Sequence, residues 1–61
     1  MARNERWYRV EVTTGLGTLQ EDTYWITLQA GNEEYAKWAA EESCRRNGHQ
    51  AFRVNRVELD V

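Results

Sequence analysis

The spacing of apolar residues changes twice along this chain, and the order of the changes restricts the fold. From Arg6 to about Thr13, Tyr8, Val10 and Val12 alternate with Trp7, Arg9 and Glu11. From roughly Thr23 to Gln29, Tyr24, Ile26 and Leu28 alternate with Thr23, Trp25 and Thr27. A two-residue period is that of a strand with one buried face. Between the runs lies Thr14-Gly15-Leu16-Gly17-Thr18, whose glycines permit the positive φ of a hairpin loop. Opposed residues of an antiparallel pair share a face, so Trp7 and Trp25 project to the same side. A turn centred on Leu16 sets Tyr8 opposite Tyr24 and Trp7 opposite Trp25. A slip of two residues separates them without changing their face.

The period then becomes helical. Asn32 is suited to an N-cap, Glu33 and Glu34 complement the positive end of the helix dipole, and Gly48 suits the left-handed position past the end. Across about four turns, Ala36, Ala39, Ala40 and Ser43 gather on one side with Tyr35 flanking. Small residues let the helix approach a sheet whose inner face supplies the bulk: Tyr8, Tyr24, Ile26 and Phe52. The last segment, Ala51 to Val61, is a strand with a phase change. Phe52 and Val54 share one parity, and Val57, Leu59 and Val61 the other. An extra residue at Asn55-Arg56 reconciles them as a β-bulge, and two short strands with a bend are the alternative. The expected fold is α+β with order ββαβ. Three or four mainly antiparallel strands carry one helix on one face, as a single domain over residues 1–61.

Size limits how such a fold is stabilised. A chain of 61 residues hides only about 60% of the surface its unfolded form exposes. Cys44 is the one cysteine and His49 the one histidine, so neither an intrachain disulfide nor a closed Cys/His zinc site is available. Packing and self-association remain as reinforcements. No metal or other cofactor is expected. Ten acidic residues against eight basic ones give a net charge of −2, which does not favour general nucleic-acid affinity. No apolar run is long enough to span a membrane, and Met-Ala-Arg-Asn-Glu-Arg lacks the apolar stretch of a signal peptide. A cytoplasmic location is therefore expected, in keeping with a lone free thiol.

All three tryptophans fall outside the buried positions of these patterns. A single helix covers one face of the sheet, and the other displays Trp7, Arg9, Glu11, Trp25, Thr27 and Arg53. Three uses compete for that face. It can be a protein-binding or homodimer patch, because Trp and Arg are enriched at interface hot spots. It can stack nucleobases on Trp and hold phosphates with Arg. Or Trp7 and Trp25 pack on each other, on arginine stems and on the loop. Trp38 is a separate signal, on the outer side of the helix near Glu34, Glu41 and Arg45. It suits a partner anchor ringed by polar residues; the alternative is that the chain's own end or the loop from Gly15 to Asp22 covers it, or that it shields charged stems. Glu41–Arg45 and Glu42–Arg46 have the spacing of helix ion pairs.

Little here suggests catalysis. Cys44 lies at the boundary of the alanine face near the carboxyl end of the helix, which disfavours a thiolate, and His49 follows the terminating glycine. Nothing marks an orienting group or an oxyanion site, so no catalytic residue is expected. The layout from Trp-Tyr-Arg-Val-Glu-Val through Asn-Glu-Glu-Tyr-Ala to Arg-Val-Asn-Arg-Val-Glu resembles small phage-encoded accessory proteins, including some anti-CRISPR inhibitors. That resemblance is one of architecture. It implies stoichiometric blocking of a host protein by an exposed surface. A similar layout occurs in some ribosomal proteins, which are typically much more basic. The leading expectation is a non-enzymatic module that binds a protein partner and self-associates; the runner-up is a single-stranded nucleic-acid binder.

Overall fold

The computed structural model describes residues 5–60, so the expected strand position of Val61 and the first four residues lie outside it. Three strands, β1 (Arg6–Thr14), β2 (Asp22–Ala30) and β3 (Phe52–Leu59), and one helix, α1 (Glu33–Arg46), follow in the order ββαβ. The sheet is antiparallel with strand order β2-β1-β3, so β1 is central and both other strands are edges. The helix packs on one face of the sheet and touches all three strands.

The inner face follows the alternation. Tyr8, Val10 and Val12 on the central strand are buried, with Ala30, Ala36, Ala40 and Cys44 closing the core from the edge and the helix. Tyr24, Ile26, Leu28, Phe52, Val54 and Val57 are only half-buried, because each belongs to an edge strand that one helix cannot fully roof. The side of the helix against the sheet is the stripe Ala36, Ala40, Cys44, four residues apart. This corrects the expected helix face. Cys44 is fully buried rather than at its boundary, Ala39 and Ser43 are half-buried, and Tyr35 is exposed.

Both helix ends are built from the residues the sequence offers. The Asn32 side chain accepts the Tyr35 N–H at 2.8 Å, satisfying a first-turn donor that has no partner within the helix. At the other end, Gly48 has φ +87°, donates to Arg45 C=O at 3.0 Å, and lets His49 N–H reach Cys44 C=O at 3.0 Å. These two bonds are the Schellman pattern, which a left-handed residue makes possible.

The hairpin register departs from expectation. β1 and β2 pair with Thr14 opposite Asp22, which places Glu11 opposite Trp25 and Trp7 opposite Gln29. The turn is not centred on Leu16. Gly15 and Gly17 take φ of +67° and +77°, and the chain then folds once more: Thr18 N–H donates to Gly15 C=O, and Glu21 N–H to Thr18 C=O. Thr18 Oγ1 bonds Gly15 C=O and accepts from Gln20 N–H. This second turn consumes the residues that a tighter hairpin would have paired.

The bulge lies where the parity change requires it. Glu11 pairs with Arg56 and Val12 with Val54, leaving Asn55 as the extra residue. Before the bulge, Phe52 and Val54 face inward; after it, Val57 and Leu59 do.

Candidate functional site

The uncovered sheet face is the first candidate. Trp7, Arg9, Trp25 and Arg53 all project from it, as the alternation predicts, and no described element packs over them. They do not form one cluster. Trp7 is level with Gln29, whereas Trp25 is level with Glu11, four residues along β1 and about 14 Å away. The aromatic pair that a turn on Leu16 would create is absent.

Trp25 instead gathers charge. The Arg9 guanidinium lies 5.0 Å from the centre of its ring and that of Arg56 6.0 Å. Both arginines are already engaged. Arg9 donates from Nε and Nη2 to Glu58 Oε1 at 3.0 and 2.8 Å, and Arg56 Nη1 donates to Glu58 Oε2 at 2.8 Å. Arg56 also lies 3.7 Å from Glu11 Oε1. Hydrogen bonding from Arg56 and then Arg9 holds the Glu58 carboxyl below the usual carboxylate range, and the same pairing raises Arg56. Arg56 and Glu58 escaped the sequence reading, although the phase change at Asn55 is the signal that puts them on this face.

The far end of the same face is a polar chain across all three strands. Arg53 Nε donates to Asn55 Oδ1 at 3.0 Å, Asn55 Nδ2 donates to Thr13 Oγ1 at 2.8 Å, and Thr13 and Thr23 share a hydroxyl bond at 2.9 Å. The bulge is what turns the Asn55 amide over the sheet. Arg53 is therefore at the opposite end of the face from Trp7 and tied to Asn55.

The outer side of the helix is the second candidate. Trp38 is 51% exposed and Tyr35 52%, and their rings meet at 5.5 Å between centroids with planes inclined by 51°. Neither the loop nor β3 covers them. A shallow groove beside Trp38 is lined by Ala39, Glu42, Ser43, Arg46 and Asn47. The polar residues expected around Trp38 are arranged differently. Arg45 donates to Glu42 at 2.6 Å and lies 5.5 Å from the centre of the Phe52 ring. Glu34 borders β3 with Glu33 and Lys37, and Glu41 is half-buried. The one helix ion pair is Glu42–Arg45, three residues apart, in place of the expected Glu41–Arg45 and Glu42–Arg46. Tyr35, expected to flank the alanine face, instead completes the Trp38 surface.

Cys44 and His49 are joined only through the main chain, by the His49 N–H that caps the helix. The thiol lies in the core beside Tyr24, and burial pushes its pKa up, as it does that of the Tyr24 phenol. A raised thiol is a poor nucleophile at neutral pH. Among the described residues no helix is long and apolar enough to cross a membrane. Compared with protein-family models, with curated proteins and with solved structures, the chain matches none.

Proposed function

We propose that this chain is a cytoplasmic, non-enzymatic binding module that engages a protein partner through the outer side of α1, with Trp38 and Tyr35 as its anchors. The carrying observation is the aromatic pair itself: two large rings in mutual contact, each about half exposed, on a helix side that no other described element covers. Such rings supply contact area at little conformational cost, since each is already held by the other, and hot spots are enriched in Trp and Tyr. Glu42 and Arg46 at the rim add polar groups that orient a partner. The architectural resemblance to small phage-encoded inhibitors adds a narrower reading, in which this contact blocks a host protein complex stoichiometrically.

The test is a photo-crosslinking benzoyl-phenylalanine at position 46, on the rim beside an intact Trp38, expressed in the native host, with the same residue at position 18 in the loop as control. One protein captured from position 46 and not from position 18, and lost when Trp38→Ala is added with unchanged circular dichroism, supports the reading. Equal capture from both positions, none from position 46, or capture indifferent to Trp38→Ala overturns it.

One observation favours a second reading, a single-stranded nucleic-acid surface on the sheet: Trp25 has the guanidinium groups of both Arg9 and Arg56 within 6.0 Å of its ring centre. Glu58 and Glu11 already neutralise those arginines, so a phosphate would have to displace carboxylates. Oligonucleotide titration at low salt decides it, because phosphate contacts are strongest there.

A further inference from the structure

A strand with free main-chain groups attracts another strand, and the two edges of this sheet differ in how they are guarded. β3 is guarded. It carries the Asn55 bulge, and Arg53, Arg56 and Glu58 are crowded along it. β2 has none of these devices. Its sequence, Asp-Thr-Tyr-Trp-Ile-Thr-Leu-Gln-Ala, pairs with β1 without a bulge and contains no proline and no lysine. Its single charge, Asp22, stands at the very start.

The hydrogen-bond phase shows which β2 groups are free. Asp60 N–H donates to Trp7 C=O, so the main chain of Trp7 points toward β3. Successive residues of a strand point opposite ways, so Tyr8, Val10 and Val12 bond β2 through their partners Leu28, Ile26 and Tyr24. The main-chain groups of Thr23, Trp25, Thr27 and Gln29 therefore point away from the sheet. The same edge leaves the inner row Tyr24, Ile26 and Leu28 only half-buried, although identical parity on β1 is buried.

We propose that β2 pairs with the β2 of a second copy, antiparallel about a two-fold axis at Ile26, to give a continuous six-stranded sheet. This register is self-complementary. It sets Thr23 opposite Gln29 and Trp25 opposite Thr27 of the other copy, so every outward N–H meets an outward C=O in about eight bonds. On the inner side Ile26 meets Ile26 and Tyr24 meets Leu28, closing the half-open row on both molecules. Asp22 meets Ala30, so no like charges oppose one another. Pairing through the edge rather than the open face leaves the Trp38 surface free on each copy, and the inference stands whether or not that surface binds a partner.

Two variants test it. Thr27→Pro removes an outward N–H without taking a bond from β1, as proline on an edge allows. In sedimentation velocity over a concentration series, wild type dimerises and Thr27→Pro, with unchanged circular dichroism, dimerises at least about tenfold more weakly. Ile26→Cys places two thiols at a non-hydrogen-bonded pair, with Cα atoms about 4.5 Å apart and within disulfide reach. Under mild oxidation it gives a covalent dimer much faster than Thr18→Cys in the exposed loop does. A wild type that stays monomeric at every concentration overturns the proposal. So does a dimer indifferent to Thr27→Pro, or an Ile26→Cys that cross-links no faster than the control.

Discussion

Removing two methyl groups from Val10 should destabilise this domain more than removing a whole indole from Trp38. Val10 is fully buried on the central strand, between the inner faces of both edge strands and beneath the helix. Val10→Ala loses about 0.8 kcal/mol for each buried carbon. The cavity left under a sheet that is hydrogen-bonded on both sides adds roughly 1 kcal/mol. The sum is about 2.5 kcal/mol, most of what a domain this small is expected to possess. Trp38 is larger, but 51% of it is already in water, and what it covers is its own helix and the Tyr35 ring. About 100 Å² of covered surface is worth ~2.5 kcal/mol at ~25 cal/mol per Å². Alanine keeps part of that contact, a compact unfolded chain reduces it, and better helix propensity returns about 0.5 kcal/mol, leaving a net loss of about 1 kcal/mol. For 61 residues the unfolding entropy is about 130 cal/mol/K, so the midpoints should fall by roughly 20 °C for Val10→Ala and 8 °C for Trp38→Ala. Thermal and urea unfolding by circular dichroism, at one protein concentration so that self-association is constant, measure both. A Trp38→Ala loss equal to or greater than that of Val10→Ala refutes the reasoning, because Trp38 would then belong to the core and not to a free surface.

Three further outcomes follow from the same contacts. Gly15→Ala should cost more than Gly17→Ala: both glycines have positive φ, but a Cβ at Gly15 would lie 2.8 Å from Gln20 O, whereas one at Gly17 meets nothing within 4 Å. The left-handed conformation alone costs about 1–2 kcal/mol, so equal urea midpoints for the two variants would contradict the loop geometry. Glu58 has a lowered folded pKa, so its stabilisation is complete above the unfolded carboxylate value of about 4.3 and is lost as pH falls through the folded value. Glu58→Gln should flatten the loss of urea stability on acidification, and an unchanged acid slope would show that the Arg56–Glu58–Arg9 cluster is not maintained in solution. Cys44 and Tyr24 are raised by burial, so their contribution is complete below their unfolded values and declines as pH rises through the folded ones. Native Cys44 should react with a disulfide reagent far more slowly at about pH 8 than the thiol of the urea-unfolded chain, whose pKa is about 8.5; labelling at the unfolded rate would place the thiol outside the core.

Much of the architecture is written in local signals. Alternation at Tyr8, Val10 and Val12 assigns faces because the side-chain period of a strand is two, whatever the strand pairs with. Asn32 and Gly48 mark the helix ends because the groups they satisfy lie within a few residues of them. The bulge at Asn55 is legible because inner residues change parity only if one residue is added. The candidate surfaces are legible to the same extent: which face carries Trp7, Trp25 and Arg53, and which side of the helix carries Trp38.

Which residues meet across the sheet is a matter of long-range closure. Face is a property of one strand, whereas register depends on how many residues the loop consumes, and the second turn at Thr18 moves Trp25 from Trp7 to Glu11. The strand order β2-β1-β3 comes from the return of β3 after the helix, and it alone makes β2 an edge with half-covered apolar residues. The packing of the Ala36, Ala40, Cys44 stripe of α1 against the sheet buries Cys44 and leaves Tyr35 outward beside Trp38. The elements, their ends and their faces follow from interactions a few residues long. Register, edges and side-chain partners were decided by closure of the chain over long separations, which no local period encodes.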